Sequence, residues 1–154
     1  VTAPDLIVGG LSVRVDWTAI MRRIRWAARL AGLSVPKRVA VLGRSNLGRS
    51  CDPVKAAGDC QRTRDGYRIT ICTGAAWLAS VEEVLVHEVA HAVAWPSEGA
   101  GTGHTPAWAA CYGAIYSGYF DRKGGPPRPA FAVKTIVTPC SSGAIGRTSR
   151  NGTP

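Results

Sequence analysis

The sequence predicts an α+β domain, and three observations carry that prediction. An amphipathic helical stretch follows Asp16. Two short β-type stretches lie at 39–42 and 67–72. A helical run over 81–95, apolar from Val84 onward except for His87, Glu88 and His91, precedes a second helix that starts at Thr105-Pro106. A chain of 154 residues with 45% hydrophobic and 19% charged residues has room for one hydrophobic core and is too apolar to be disordered.

The first helix is predicted from Asp16 at its cap through Leu30. Ile20, Ile24, Ala27, Ala28 and Ala31 recur at helical spacing, Arg22, Arg25 and Arg29 take the other side, and Gly32 ends it. Val39-Ala-Val-Leu, between Pro36 and Gly43, reads as a short buried strand. Residues 43–66 carry Gly, Asp, Asn and Pro without a clear period and are predicted to form a long loop. Tyr67-Arg-Ile-Thr-Ile-Cys alternates as a strand does.

Ser80-Val-Glu-Glu is a capping-box pattern, with Ser80 at the cap and Glu83 three residues on. The helix it opens is expected to run from Val81 to about Trp95 and to stop at Pro96. Glycines and Ser97 form a loop to His104, and Pro106 opens the next helix at a position where its missing N–H costs nothing. Gly-Gly-Pro-Pro-Arg-Pro reads as a linker, Ala130 to Val137 as one further strand, and 141–154 as a flexible tail. The domain is therefore expected over 1–121, with a basic, Gly/Pro/Ser-rich and partly flexible extension over 122–154.

Charge is unevenly placed. Residues 1–68 carry a balance of +8, residues 69–121 hold no Lys or Arg and carry −5, and residues 122–154 carry +6. An acidic centre suits a bound cation, and basic flanks suit an anionic partner such as nucleic acid. The rival reading is that the arginines only solvate the surface. No stretch approaches the roughly 20 uninterrupted apolar residues needed to span a bilayer, so no membrane partner is expected. No secretory pattern opens the sequence, and a cytoplasmic location is the expectation. Five cysteines without a C-x-x-C pair argue against a zinc ribbon. Cys51 and Cys60 are spaced to close a loop under oxidising conditions, while free thiols are expected in a cytoplasmic chain.

The chemistry lies in His87-Glu88-Val89-Ala90-His91, an H-E-x-x-H pattern. Two histidines four residues apart lie about 40° apart around a helix, so both rings reach one ion. Glu88 is rotated by about 100° from His87 and about 60° from His91, which puts it beside the ion as a general base. A bound zinc lowers the pKa of its water towards about 7, creating a nucleophile at neutral pH. The remaining residues of the run are apolar. Unsatisfied polar burial costs roughly 2–7 kcal/mol per group, so these three side chains need a partner. A core helix with hydrogen-bonded histidines is the bland alternative.

A catalytic zinc takes three protein ligands and a water. His104, the third histidine of the chain, is the leading third ligand, with Glu98 and Asp121 as rivals. Cys111 falls on a packing face of the second helix. Trp95 and Trp108 read as core.

His87-Glu-Val-Ala-His91-Ala-Val-Ala-Trp95 followed by Gly103-His104-Thr-Pro-Ala-Trp108 resembles the SprT-like zinc metallopeptidases, over about residues 77–120. The resemblance implies a zincin-like α+β fold, a small mixed sheet packed on the active-site helix and the helix that follows. It implies one zinc ion per chain on His87, His91 and His104, with Glu88 as catalytic base. Some members act on proteins crosslinked to DNA, with which the basic flanks agree. The zinc-ribbon tail of several members is missing here, and the proline after the third histidine is offset to Pro106. The metzincin spacing would need a histidine at 97, which is Ser, and the glutamate-ligand class would need a Glu within 105–120, which has none.

The expected reaction is hydrolysis of a protein or peptide substrate, with Glu88 passing a proton to the leaving amine. Candidate oxyanion stabilisers are Tyr112 and Tyr116, each of which also reads as a packed aromatic. The rivals are a non-catalytic zinc-stabilised module that binds nucleic acid or protein, and a metal hydrolase acting on cell-wall peptide.

Overall fold

The computed structural model describes residues 6–8, 11–44, 57–72, 78–98, 103–127 and 132–134. The described residues form an α+β arrangement of three helices and two small three-stranded sheets.

Helix α1 spans Trp17–Leu30, and the Asp16 carboxylate caps it by accepting from the Ala19 N–H at 2.9 Å. At the other end, Leu33 N–H donates to the Ala28 carbonyl and Gly32 N–H to that of Arg29. Gly32 takes φ +72°, which a side chain rarely adopts. Arg25 then staples the exit, donating to the carbonyls of Val35, Pro36 and Lys37. Ile20, Ile24, Ala27 and Ala28 are buried as expected, whereas Ala31 is the exposed C-cap.

The expected strands at 39–42 and 67–72 are present within longer ones. In the first sheet, β1 (Leu6–Val8) and β2 (Leu11–Arg14) form an antiparallel pair, and β3 (Val39–Arg44) belongs to the second. There β3 runs parallel to β5 (Gly66–Cys72), and β4 (Gly58–Thr63) pairs antiparallel with β5 on its other side. The order β3-β5-β4 makes this a mixed sheet with β4 at an edge. Val41, Ile69 and Cys60 lie in one register row on the face that meets the helices, and Ile69 and Ile71 are fully buried there.

Strand β4 corrects the expectation of a continuous loop over 43–66. Gly-Asp-Cys-Gln-Arg-Thr shows no apolar alternation, because an edge strand with one solvated face needs only Cys60 to meet the core. Residues 45–56 lie outside the described residues. Strands β1 and β2 add to the expected elements, and Leu-Ile-Val-Gly-Gly-Leu-Ser-Val carries a strand-turn-strand pattern. Strand β6 (Ala132–Lys134) falls inside the strand expected at Ala130–Val137 and pairs with β2. The flexible tail expected over 141–154 lies outside the described residues.

Helix α2 spans Leu78–Glu98, longer than expected at both ends. Ser80 sits inside the helix and is not its cap, because Leu78 and Ala79 are good helix formers that extend it upstream. Pro96 lies within the last turn, where the loss of one backbone donor does not stop the chain reaching Glu98. Helix α3 spans Pro106–Phe120, with Thr105 as N-cap accepting from the Trp108 N–H at 3.2 Å and Pro106 in the first turn.

Helix α2 packs between the β3-β5-β4 sheet and α3, and α3 packs on α1 as well. A Cβ at Gly118 would lie 2.9 Å from that of Ala27, so this glycine sets the close approach of α1 and α3. The main core joins Ile20 and Ile24 of α1, Ile69 and Ile71 of β5, Leu85 and Val89 of α2, and Ile115 and Tyr119 of α3. Two polar groups are locked into it. Tyr119 O–H donates to Glu82 Oε1 at 2.5 Å. Arg23, in α1, donates from Nε and Nη2 to the Tyr119 carbonyl at 2.9 and 2.7 Å, and from Nη1 to that of Pro126. No helix among the described residues is long and apolar enough to cross a membrane.

Candidate metal centre

His87 and His91 project from one face of α2 because they are one helical turn apart. His104 arrives from the other direction, immediately before the Thr105 cap of α3. The packing of α2 on α3 closes the gap: one ring nitrogen of each histidine lies within 4.8 Å of the others. His104 Nε2 and His87 Nε2 are 3.1 Å apart. Two imidazole nitrogens on one tetrahedral zinc, each about 2.0–2.1 Å away, would be about 3.3 Å apart, so the donor set fits such an ion in type and spacing.

Trp108 organises the three rings. It is buried beside Ala90 and Ala94 in a second, smaller core, as its reading as a core residue anticipated. Its indole stacks on His104 with centroids 4.1 Å apart and on His91 at 5.3 Å, and Nε1–H points to the His87 carbonyl at 3.4 Å. The ring that fills the core therefore also holds the imidazoles in orientation. The sequence did not signal this second role.

Burial, followed by the neighbouring His91 and His104, pushes the His87 pKa down from 6.5 to about 4. That keeps the ring neutral at physiological pH, which is the form a metal ligand needs.

Glu88 is 6% exposed and lies on the side of α2 that faces β4. Its Oε1 is 4.0 Å from His87 Nε2, beside the imidazole cluster rather than within it. Burial, and then the charge of Asp59 on β4, push its pKa up from 4.5 to about 7. Proton exchange near neutrality is what a general base requires. Cys60, two residues after Gly58, is a free thiol pushed up to about 12 by burial, then by Glu88, then by Asp59. It is protonated and unreactive at neutral pH. The β4 residues near Glu88 carry no local sequence signal, because pairing with β5 is what makes β4 a strand.

Of the rival third ligands, Asp121 does not join the cluster. Asp121 caps the far end of α3, whose 15 residues extend about 22 Å from the His104 end. Glu98 closes α2 seven residues after His91, about 10 Å along the axis, and its side chain lies outside the described residues. Cys111 packs against the Ala90, Ala94 and Trp108 cluster as expected.

Tyr112 stacks on Trp108 with the planes 7° apart, and its ring centroid is 5.7 Å from that of His87. Its hydroxyl bonds Glu83 Oε1 at 3.4 Å, and burial, then Glu83, raises its pKa. Tyr116 stands a turn further away, 5.6 Å from Tyr112. Both rings pack against the main core. Of the two, Tyr112 borders the histidines.

Searches of protein-family models, of curated proteins and of solved structures find no match to this chain.

Proposed function

We propose that this chain is a zinc-dependent peptidase of zincin-like, SprT-like type, with His87, His91 and His104 as ligands of one zinc ion and Glu88 as general base. The observation that carries the reading is the convergence of three imidazole nitrogens within 4.8 Å with a buried carboxylate at their side. A closed structural zinc site has no use for that carboxylate, so Glu88 favours catalysis over a purely zinc-stabilised binding module.

Bound zinc would act as a Lewis acid on a substrate carbonyl and acidify a coordinated water. Glu88 takes the proton of the attacking water on its carboxylate and delivers it to the leaving amine. A carboxylate whose pKa lies near 7 can do both in one cycle. One ring nitrogen of each imidazole lies within 4.8 Å of the others, and Trp108 packs on the rings of His91 and His104 and donates to the His87 carbonyl. Tyr112 is the candidate oxyanion donor. To serve, its hydroxyl must exchange Glu83 for substrate.

The substrate class is a protein or peptide. Proteins associated with DNA are the narrower proposal, which rests on the basic flanks of the sequence. Hydrolysis of a casein substrate by the zinc-loaded protein, abolished in Glu88→Gln with zinc retained, tests the reading. Full activity in Glu88→Gln overturns it.

A further inference from the structure

We infer that Gly58 is a positioning residue, whose missing side chain is the space in which the Glu88 carboxylate is seated. This rests on the proposal that Glu88 is the general base. Gly58 opens β4 and pairs with Ile71 of β5, so its backbone is fixed by the sheet against α2. A Cβ built on it would lie 2.8 Å from both Cγ and Oε1 of Glu88 and 2.7 Å from Cγ1 of Val84, distances that Cβ atoms essentially never show. Among the described residues the positive-φ glycines are Gly32, Gly66 and Gly124, so Gly58 is not required by its backbone conformation. What the position requires is room.

That room has a definite shape. Val84 and Glu88 are one turn apart on α2, and both touch the space above Gly58. Retreat of the helix is resisted, because Ala90 and Ala94, about 120° round it from Val84 and Glu88, already pack against Trp108 of α3. A methyl group at position 58 must therefore turn Glu88 about its own bonds. Cγ moves together with the carboxylate, so the 4.0 Å relation to His87 changes. The three atoms nearest to that Cβ belong to Val84 and Glu88 and none to a histidine, so the clash falls on these two side chains before the metal ligands.

The test compares Gly58→Ala, Val84→Ala and the double variant. Val84→Ala removes the Val84 contact and leaves the Glu88 contact, so the double variant isolates the latter even where Gly58→Ala alone folds poorly. Three quantities are read. One is zinc per chain by elemental analysis. The second is the side-chain carboxyl 13C resonance of Glu88 in metal-free, glutamate-labelled protein, recognised by its loss in Glu88→Gln. The third is turnover of a fluorogenic casein by the zinc-loaded protein.

The expected result for Gly58→Ala and the double variant is unchanged zinc content, a displaced Glu88 resonance, and kcat lower by about 10- to 100-fold with KM nearly constant. Val84→Ala should keep wild-type turnover. A Glu88 resonance at its wild-type position overturns the inference, as does full turnover in the double variant or failure of both Gly58 variants to fold. If wild-type protein with zinc leaves casein intact, the peptidase reading fails, whereas a displaced resonance still supports the seating of Glu88.

Discussion

His104 Nε2 lies 3.1 Å from His87 Nε2 although seventeen residues separate the two along the chain. Without a cation, the two ring nitrogens can share one proton. With zinc, both lone pairs can point to the same ion. The contact exists because α3 packs on α2, His104 immediately precedes the start of α3, and Trp108 in its first turn donates to the His87 carbonyl.

Purified wild-type protein should contain about one zinc per chain. His104→Ala should bind zinc more than about a hundredfold less tightly, since even partners of metal ligands are worth 10- to 100-fold. Elemental analysis and titration against a zinc indicator would show it. Unaltered affinity in the variant would remove His104 from the ligand set.

Glu88→Gln should lower kcat by about 10²- to 10⁴-fold, the range of a general base, while zinc content stays that of wild type. The amide keeps the shape and cannot take a proton. Equal kcat in steady-state assays would assign the base elsewhere.

In metal-free protein the raised pKa of Glu88 makes stability depend on pH with a definite sign. Its folded value, about 7, lies above the unfolded one near 4.5, so its contribution is complete below 4.5 and lost as pH rises through 7. Glu88→Gln should therefore be more stable than wild type at pH 8, by at most about 3 kcal/mol, and similar to it at pH 4. Urea midpoints in the presence of a chelator would decide, and coincident midpoints at pH 8 would refute the prediction.

The nucleic-acid proposal predicts DNA affinity that weakens steeply with salt, because each phosphate contact releases about one counterion. Binding to a labelled duplex measured from low to physiological salt should show a negative slope of log affinity against log salt. Affinity that ignores salt would leave the protein-substrate proposal standing without its DNA-associated part.

How much was legible depended on how local the signal was. Asp16, Thr105 and Pro106 act on backbone within one turn, and the two helices they open were placed closely. The i, i+4 spacing of His87 and His91 is a property of one helix, so their common face was also readable. Ser80 misled because the capping pattern was outweighed by the helix formers before it. Strand β4 was invisible because pairing with β5, not its own residue pattern, makes it a strand. Nothing local in the sequence marks Glu82 and Arg23 as buried. Their burial is decided by Tyr119, which is 37 residues from the one and 96 from the other.

The stack of Trp108 on His104 and His91 also makes the indole a built-in reporter. Any positive charge at the cluster, a proton or a metal ion, lies against the face of a ring whose electron density responds to cations. The emission of this one tryptophan, isolated from the other four by difference against Trp108→Phe, should follow loading of the histidines directly. The same ring that fills the small core would then give an optical signal of occupancy, with no label added.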